Sequence, residues 1–302
     1  MAQDLTSYNG RIAYLSGLNS AVKYLEIGVA WGTTFFSVDM PFKIAVDPHF
    51  NFDPLDHTKN GTHFFQITSD EFFRKLDDDD LAIQDIFIPK PFTFDVIFID
   101  GLHTFEQSYR DFKNSLRYAH NKTLWLIDDT TPCDAYSAIP DQEVSLYKRG
   151  QAGLDGIHWH GDVYKTVLAI HDYYPEISYC TLMGGNPQTI LWKAKASDRK
   201  PMFSSITEIN SLSFYDMLRY AKCMMPINYN KLPEYIFRSL NPADDAAPDS
   251  WKRIVTADHE ARIQELNVLL EDREARIQEL LHSRSWRLTA PLRSLSHFVR
   301  NF

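Results

Sequence analysis

Short apolar runs alternate with longer polar stretches through the first two-thirds of the chain. Five of these runs are rich in β-branched or aromatic residues and end at a turn-forming residue or a carboxylate, at positions 24–28, 43–47, 63–67, 94–100 and 123–127. Short buried strands separated by helix-compatible segments are typical of a parallel sheet covered by helices. The pattern therefore predicts an α/β domain over residues 1–200 with a doubly wound sheet.

Two further apolar runs, at positions 177–182 and 188–193, extend this pattern. The residues between them are Met-Gly-Gly-Asn-Pro, a composition that favours a reversal of the chain. We expect an antiparallel hairpin at the end of the sheet. The predicted sheet then has seven strands and is mostly parallel.

The remaining third of the chain divides into shorter segments. Residues 201–240 carry apolar positions at helical spacing, which predicts a helical extension packed on the domain, and residues 241–251 have the composition of a linker. Within 252–283 the heptapeptide EARIQEL occurs twice, fourteen residues apart, which is a spacing of two heptads. The repeat predicts a C-terminal coiled coil and a homo-oligomer formed through it. A single amphipathic helix lying on the domain is the alternative.

The last segment, 284–302, carries four arginines and no acidic residue, interleaved with apolar side chains. A basic amphipathic tail of this kind can lie in an anionic membrane interface, which predicts peripheral contact with the inner face of a membrane. An ordinary packed helix end with a solvated basic face explains the same pattern.

Composition and charge narrow the class of protein. The 302 residues are 44% hydrophobic and 24% charged, which indicates a folded protein rather than a disordered one. The net charge of −9 argues against nucleic acid as a partner. Three widely spaced cysteines form no metal-binding pair, and the sequence contains no apolar run long enough to span a bilayer. We therefore expect a cytoplasmic protein.

The strongest local signal is the sequence Glu-Ile-Gly-Val-Ala-Trp-Gly at positions 26–32, directly after the first predicted strand. Glycines at Gly28 and Gly32 permit a tight turn and a close approach of the backbone to a ligand. Asp47 ends the second predicted strand, where a carboxylate can accept hydrogen bonds from both hydroxyls of a ribose. Together with Glu26, these residues predict a site for a cofactor that contains a nucleoside.

With this motif, the chain resembles the class I S-adenosylmethionine-dependent methyltransferases over roughly its first two-thirds. The resemblance implies a Rossmann-like fold and S-adenosylmethionine as cofactor, with Glu26, Gly28 and Gly32 along its methionine and ribose portions. It implies that Asp47 binds the ribose hydroxyls.

The same resemblance places Thr68, Ser69 and Asp70 near the adenine, with Asp70 as a cofactor-binding candidate. Alternatively, Ser69 or Asp70 caps the helix that follows.

Acidic residues also follow the fourth and fifth predicted strands. Asp100 ends one, and the pair Asp128 and Asp129 ends the other, so the three carboxylates are expected to converge at one edge of the sheet. A ligand set of oxygens suits Mg²⁺, Ca²⁺ or Mn²⁺. The pattern resembles the metal-dependent O-methyltransferases of the catechol and macrolide-sugar types, which implies that all three bind Mg²⁺ or another divalent cation. Alternatively, Asp128 or Asp129 caps a helix and Asp100 contacts the cofactor.

His103 follows Asp100 by three residues, at the position that carries the catalytic base in those families. An imidazole titrates near neutral pH and can accept a proton from a hydroxyl. The sequence between the fifth strand and the hairpin contains His158, His160 and Asp162, which we assign to substrate binding. For Asp162, a cap on the following helix is the alternative.

The leading hypothesis is a metal-dependent O-methyltransferase that acts on a hydroxyl of a sugar in a bacterial surface polysaccharide or glycoconjugate. Residues 100–106 are similar to methyltransferases of bacterial carbohydrate and natural-product pathways, and residues 285–293 are similar to the tails of polysaccharide glycosyltransferases. A glycosyltransferase of polysaccharide biosynthesis and a non-catalytic cofactor-binding scaffold are the rival hypotheses.

Overall fold

A computed structural model of the chain describes residues 5–57, 59–78, 92–184, 187–194, 199–232 and 235–236. Its strands are β1 (Lys23–Ile27), β2 (Phe42–Val46), β3 (Thr62–Phe65), β4 (Phe94–Ile99), β5 (Ala119–Ile127), β6 (Ile177–Met183), β7 (Gln188–Lys193) and β8 (Pro226–Asn228). Its α-helices are α1 (Tyr8–Asn19), α2 (Thr33–Ser37), α3 (Ser69–Asp77), α4 (Phe105–Ser115), α5 (Gln142–Gln151), α6 (Tyr164–Tyr173), α7 (Ile206–Ser211) and α8 (Phe214–Arg219).

All eight strands belong to one sheet, in the order β3-β2-β1-β4-β5-β7-β6-β8. The first five strands are parallel, and β7 runs antiparallel to both β5 and β6. The prediction of a doubly wound, mostly parallel sheet with a terminal hairpin is confirmed. Because the parallel strands run in one direction, their carboxyl ends meet at a single edge of the sheet.

The hydrophobic core lies in two layers, one on each face of the sheet. Alternate side chains of β4 enter opposite layers, with Val96 on one side and Ile97 on the other, as the two-residue period of a strand requires. Phe112 of α4 packs in the layer of Ile97, and Phe35 of α2 packs in the layer of Val96. Helices therefore cover both faces, which explains why the central strands are continuous apolar runs rather than alternating ones.

The extension after residue 200 differs from the prediction. It contains the short helices α7 and α8, but it also contributes the strand β8, which pairs in parallel with β6. The sheet therefore has eight strands and not seven. Three residues that begin with a proline are too few to show a strand period in the sequence, so only the pairing with β6 reveals this strand.

The predicted linker at 241–251, coiled coil at 252–283 and basic tail at 284–302 lie outside the described residues. Within the part of the chain that the structure describes, no helix is long and apolar enough to cross a membrane.

Arg11 of α1 is fully buried and ties this helix to the β6–β7 hairpin. Its guanidinium donates hydrogen bonds to the carbonyl oxygens of Leu5 and Gly184 and to the side-chain oxygen of Gln188, each at 2.8 Å. Removing a buried donor leaves its acceptors without a partner, which costs more than the bond itself contributed.

We predict that Arg11→Met lowers the free energy of unfolding by about 3 kcal/mol. The control is Arg74→Met, which removes an exposed ion pair with Asp78 and should change stability by less than about 0.5 kcal/mol. Urea titration of both variants measures the difference. Equal effects of the two substitutions would show that Arg11 does not tie the helix to the hairpin.

Candidate active site

A cavity of about 720 Å³ opens at the carboxyl ends of the parallel strands. Predicted site residues that line it are Glu26, Gly28, Asp47, Asp70, Asp100, His103, Asp128 and Asp129. Gly32 stands between Trp31 and Thr33, which line the cavity. The sequence analysis therefore identified one contiguous site, although His158, His160 and Asp162 do not line this cavity.

The loop after β1 lies against the loop after β4 with no room for a side chain between them. Gly28 has φ of +84°, and a Cβ atom placed there would lie 2.0 Å from the carbonyl oxygen of Asp100. Gly32 has φ of +73° and is the N-terminal cap of α2. Both positions therefore require glycine for conformation, and the first also requires it for space.

Asp47 holds this loop in place. Its Oδ2 accepts hydrogen bonds from the backbone N–H groups of Val29 at 2.7 Å and Ala30 at 3.0 Å, and its Oδ1 accepts one from His49 at 2.8 Å. A carboxylate has about four acceptor positions, so these bonds leave capacity for a ligand in the cavity. The predicted contact with a ribose stays a prediction, and the structure adds a second role in shaping the loop.

Glu26 is buried beneath the same loop. The hydroxyl of Tyr24 donates a hydrogen bond to its Oε2 at 2.6 Å. Burial raises the pKa of Glu26 to about 8, against the opposing effect of the Tyr24 bond. The Glu26 carboxyl is therefore mostly protonated at neutral pH.

The same cavity also contains an acid–histidine cluster, formed by Asp100, His103 and Asp129. Each offers a ligand atom, and these atoms lie within 4.8 Å of one another. The distances are 2.9 Å from His103 Nδ1 to Asp129 Oδ2 and 3.5 Å from His103 Nε2 to Asp100 Oδ1. Asp129 reaches the cluster from a left-handed backbone conformation with φ of +56°. The structure thus places His103 beside two of the three predicted metal ligands.

Asp128, the third predicted ligand, lies next to the cluster and is only 4% exposed. Its Oδ1 is buried and has no hydrogen-bond partner among the described residues. Burial raises the pKa of Asp128 well above its usual range, and the neighbouring Asp100 carboxylate adds to the shift. Neither Asp128 nor Asp129 caps a helix, because α5 begins at Gln142 with Asp141 as its cap.

The charges of the cluster control the protonation of His103. Burial by itself would lower the pKa of this imidazole, but hydrogen bonds and charge from Asp100 and Asp129 outweigh burial and raise the pKa to about 11. His103 is therefore an imidazolium at neutral pH while both carboxylates are charged. A general base must be neutral, so the predicted role requires that this negative charge be compensated.

The segment 158–162 fixes the position of His103. The ring of His103 stacks on Trp159 at 4.6 Å, and its Nδ1 lies 2.8 Å from the carbonyl oxygen of Trp159. Gly161, with φ of +57°, is so close that a Cβ atom there would lie 1.6 Å from the backbone oxygen of His103. The segment therefore packs against the imidazole of His103 and does not form a second set of ligands.

The carboxylate of Asp162 accepts hydrogen bonds from other groups of the protein and does not line the cavity. Its Oδ1 accepts a hydrogen bond from the N–H of Phe105 at 2.6 Å, and its Oδ2 accepts one from the ammonium of Lys165 at 2.8 Å. The assignment of Asp162 to substrate binding is not supported by this placement. The alternative, a cap on α6, is wrong, because Val163 occupies the cap position. Asp162 instead fastens the loop that carries His103.

His158 and His160 lie behind the cluster. His160 Nε2 is 3.8 Å from Asp129 Oδ1, and burial lowers the pKa of His160. His158 is exposed, and its ring lies 6.2 Å from that of His160. A contact of either with a substrate stays a prediction.

Asp70 lies at the start of α3, on the rim of the cavity. Its carboxylate is 3.0 Å from the guanidinium of Arg110 and is partly exposed. Thr68 caps α3, because its hydroxyl accepts a hydrogen bond from the N–H of Glu71 at 3.2 Å. The alternative in which Ser69 or Asp70 caps this helix is therefore wrong.

Sequence reasoning missed Asp111, a buried carboxylate of α4 that lines the cavity. Its Oδ1 accepts hydrogen bonds from the hydroxyl of Ser69 at 2.6 Å and the amide of Gln107 at 2.9 Å. Burial raises its pKa to about 6. Helical spacing was the available signal, because Asp111 follows Ser108 by three residues on the buried face of α4.

Residues 25–130 match a family model described as a methyltransferase domain, in agreement with the resemblance drawn from the motif at positions 26–32. A comparison with curated proteins finds no match.

Solved structures show a distant likeness. An O-methyltransferase from Bacillus cereus in complex with SAH is 14% identical, with a TM-score of 0.42 over 65% of this chain and 84% of that one. A putative caffeoyl-CoA O-methyltransferase from Staphylococcus aureus is 16% identical, with a TM-score of 0.42 over 64% and 85%.

The raised pKa of Glu26 makes stability depend on pH. The folded state binds this proton more tightly than the unfolded state, whose glutamate titrates near pH 4.5. The stabilising contribution is therefore complete below about pH 4.5 and is lost as the pH rises through about 8.

We predict that the ligand-free protein loses more stability than Glu26→Gln when the pH is raised from 5 to 9, by a few kcal/mol. The glutamine amide has no proton to lose, so the variant lacks this component of the pH dependence. Thermal unfolding of both proteins across that range measures the effect. Parallel stability curves would contradict the assignment of a buried, protonated Glu26.

Proposed function

We propose that this chain is an S-adenosylmethionine-dependent O-methyltransferase with a divalent cation at its acid–histidine cluster. The observation that carries the proposal is the joining, in one cavity, of the glycine loop at Gly28 and the cluster of Asp100, His103 and Asp129. The match of residues 25–130 to a methyltransferase-domain model supports it.

The part of the cavity near Gly28 and Asp47 suits the cofactor. When bound, S-adenosylmethionine supplies a methyl group on a positively charged sulfur, so that the group can be transferred to a nucleophilic oxygen. The bare backbone at Gly28 provides the close approach that such a ligand needs. The remaining acceptor position of Asp47, at the end of β2, can receive a hydroxyl group.

The acid–histidine cluster suits a divalent cation. Asp100 and Asp129 offer carboxylate oxygens near one another, and Asp128 adds a buried oxygen that no described residue satisfies. Oxygen ligands of this type are those that Mg²⁺ and Mn²⁺ prefer. A bound cation would lower the pKa of a coordinated hydroxyl.

His103 is the proposed proton acceptor. The contact between its Nδ1 and the carbonyl oxygen of Trp159 favours the tautomer that carries its proton on Nδ1, which leaves the lone pair on Nε2 toward Asp100. When the charges of Asp100 and Asp129 are compensated, the imidazolium loses its stabilisation and the pKa of His103 falls toward the usual value of a histidine. His103 can then accept the proton of an acceptor hydroxyl as that oxygen attacks the methyl group.

For the acceptor, we propose a sugar hydroxyl of a surface polysaccharide or glycoconjugate. Trp31, which lines the cavity, is 71% exposed, and an aromatic face of this kind can pack against the apolar face of a sugar ring. The similarity of residues 285–293 to tails of polysaccharide glycosyltransferases supports the same class. Self-association through residues 252–283 and peripheral membrane contact through 284–302 are further parts of the proposal, and they rest on the sequence patterns.

We predict that His103→Gln lowers the rate of methyl transfer by at least about 100-fold, while binding of S-adenosylhomocysteine changes by less than about twofold. The assay follows labelled methyl from S-adenosylmethionine into a panel of sugars, nucleotide sugars and catechols. His120→Gln is the matched control, because this histidine lies at the amino end of β5, away from the cavity, and it should retain activity.

Each rival hypothesis predicts a different experimental result. Full activity of His103→Gln would refute the role as base. Binding of the cofactor without transfer by the wild type to any acceptor would favour the scaffold. Protection against unfolding by nucleotide sugars alone would favour a glycosyltransferase.

We further predict that Asp129→Asn and Asp128→Asn each weaken binding of Mn²⁺ by at least about tenfold, because each removes a carboxylate ligand. Calorimetric titration of the metal alone measures this without an acceptor. Glu143→Gln, at an exposed position of α5, is the control and should bind as the wild type does. Equal affinity in all four proteins would refute the proposed ligands.

A further inference from the structure

Asp111 is a buried carboxylate in which one oxygen accepts hydrogen bonds and the other accepts none from the described residues. Both hydrogen bonds that it receives, from Ser69 and Gln107, end on Oδ1. None of the described residues donates a hydrogen bond to Oδ2. Because the side chain is only 1% exposed and lines the cavity, the cavity is the direction from which a donor can reach this oxygen.

A buried carboxylate with an unfilled acceptor position is costly in a folded protein. The raised pKa of Asp111 reflects this cost, which follows chiefly from burial. A ligand that carries an N–H group in the plane of a flat ring would satisfy Oδ2. A ligand with an oxygen acceptor at the same place would be repelled.

The position of Asp111 indicates which part of the cofactor lies there. Ser69, its hydrogen-bond partner, begins the helix after β3, whereas Asp129 follows β5. The order β3-β2-β1-β4-β5 separates these two ends by four strand spacings, or about 19 Å. Asp47, the proposed ribose contact, follows β2 and lies between them. A cofactor with its methyl group near Asp129 and its ribose at Asp47 therefore places its base on the Ser69 side.

We propose that Asp111 reads the exocyclic amine of the adenine and so selects a 6-amino purine over a 6-oxo purine. The proposal rests on the proposed function, because it assumes an adenosyl cofactor in this cavity. Asp111 takes the role for which the sequence favoured Asp70.

Asp70 is less suited to this task. Its carboxylate is partly exposed and already faces the guanidinium of Arg110 at 3.0 Å, and Asn114 lies at 3.4 Å from its Oδ1. A carboxylate that water can reach and that is already ion-paired discriminates weakly, because water replaces the hydrogen bond of a wrong ligand. A desolvated carboxylate has no such substitute.

The surroundings of Asp111 also predict the effect of an asparagine. Ser69 and Gln107 both donate toward the position of Oδ1, so an asparagine is oriented with its oxygen toward them and its NH₂ group toward the cavity. An NH₂ group donates to the 6-oxo group of hypoxanthine and meets the 6-amino group of adenine unfavourably. Asp111→Asn should therefore shift the preference toward the 6-oxo purine.

The experiment compares S-adenosylhomocysteine with S-inosylhomocysteine, which differ at C6 of the base and in the proton that N1 carries in the inosyl compound. Calorimetry measures the Kd of both for the wild type, Asp111→Asn and Asp70→Asn. We expect the wild type to favour the adenosyl compound by at least about tenfold, the ratio to fall by at least about tenfold in Asp111→Asn, and Asp70→Asn to keep the wild-type ratio.

Three results would overturn the proposal while the proposed function stands. They are equal affinity of the wild type for the two compounds, an unchanged ratio in a folded Asp111→Asn, and a shifted ratio in Asp70→Asn. If Asp111→Asn does not fold, the ratio in Asp70→Asn decides between the two carboxylates. If neither compound binds the wild type, the proposed function itself fails, and this inference fails with it.

Discussion

The site depends on a ladder of backbone hydrogen bonds that continues one residue past the end of each central strand. Gly28, Asp47, Asp100 and Asp128 each donate their N–H to the last carbonyl of the neighbouring strand, those of Val46, Phe65, Ile27 and Ile99 respectively, at 2.8–3.2 Å. These four positions are thereby fixed at one edge of the sheet, at the strand spacing. The loops that follow carry the remaining side chains of the cavity, so the geometry of the site follows from the sheet.

This edge concentrates acidic groups in a place with little water. The protein tolerates them in two ways: Glu26 keeps its proton and stays neutral, and the protonated His103 compensates the charges of Asp100 and Asp129. Asp128 retains a buried oxygen without a partner among the described residues. The carboxylates gathered at this edge favour cationic ligands. This preference fits both a divalent metal and the sulfonium of the proposed cofactor.

Features that depend on neighbouring positions in the chain could be predicted from the sequence. The predicted ends of the strands located Glu26, Asp47 and Asp100 at one edge of the sheet. The glycine at position 28 predicted the tight turn. Features that depend on contacts distant in sequence could not be predicted in this way. Asp162 fastens the N–H of Phe105, 57 residues away, and a helix cap would have explained its local sequence equally well. The strand β8 and the open oxygen of Asp111 likewise become visible only through their partners in space.

The central claim is that one cavity holds an S-adenosyl compound beside a divalent cation. A crystal structure grown with S-adenosylhomocysteine and Mn²⁺, with anomalous scattering to locate the metal, tests it most directly. The account predicts the ligand along the loop at Gly28, with the ribose at Asp47, and a manganese peak bound by Asp100 and Asp129. An empty cavity at saturating ligand, or a manganese site elsewhere, would contradict it.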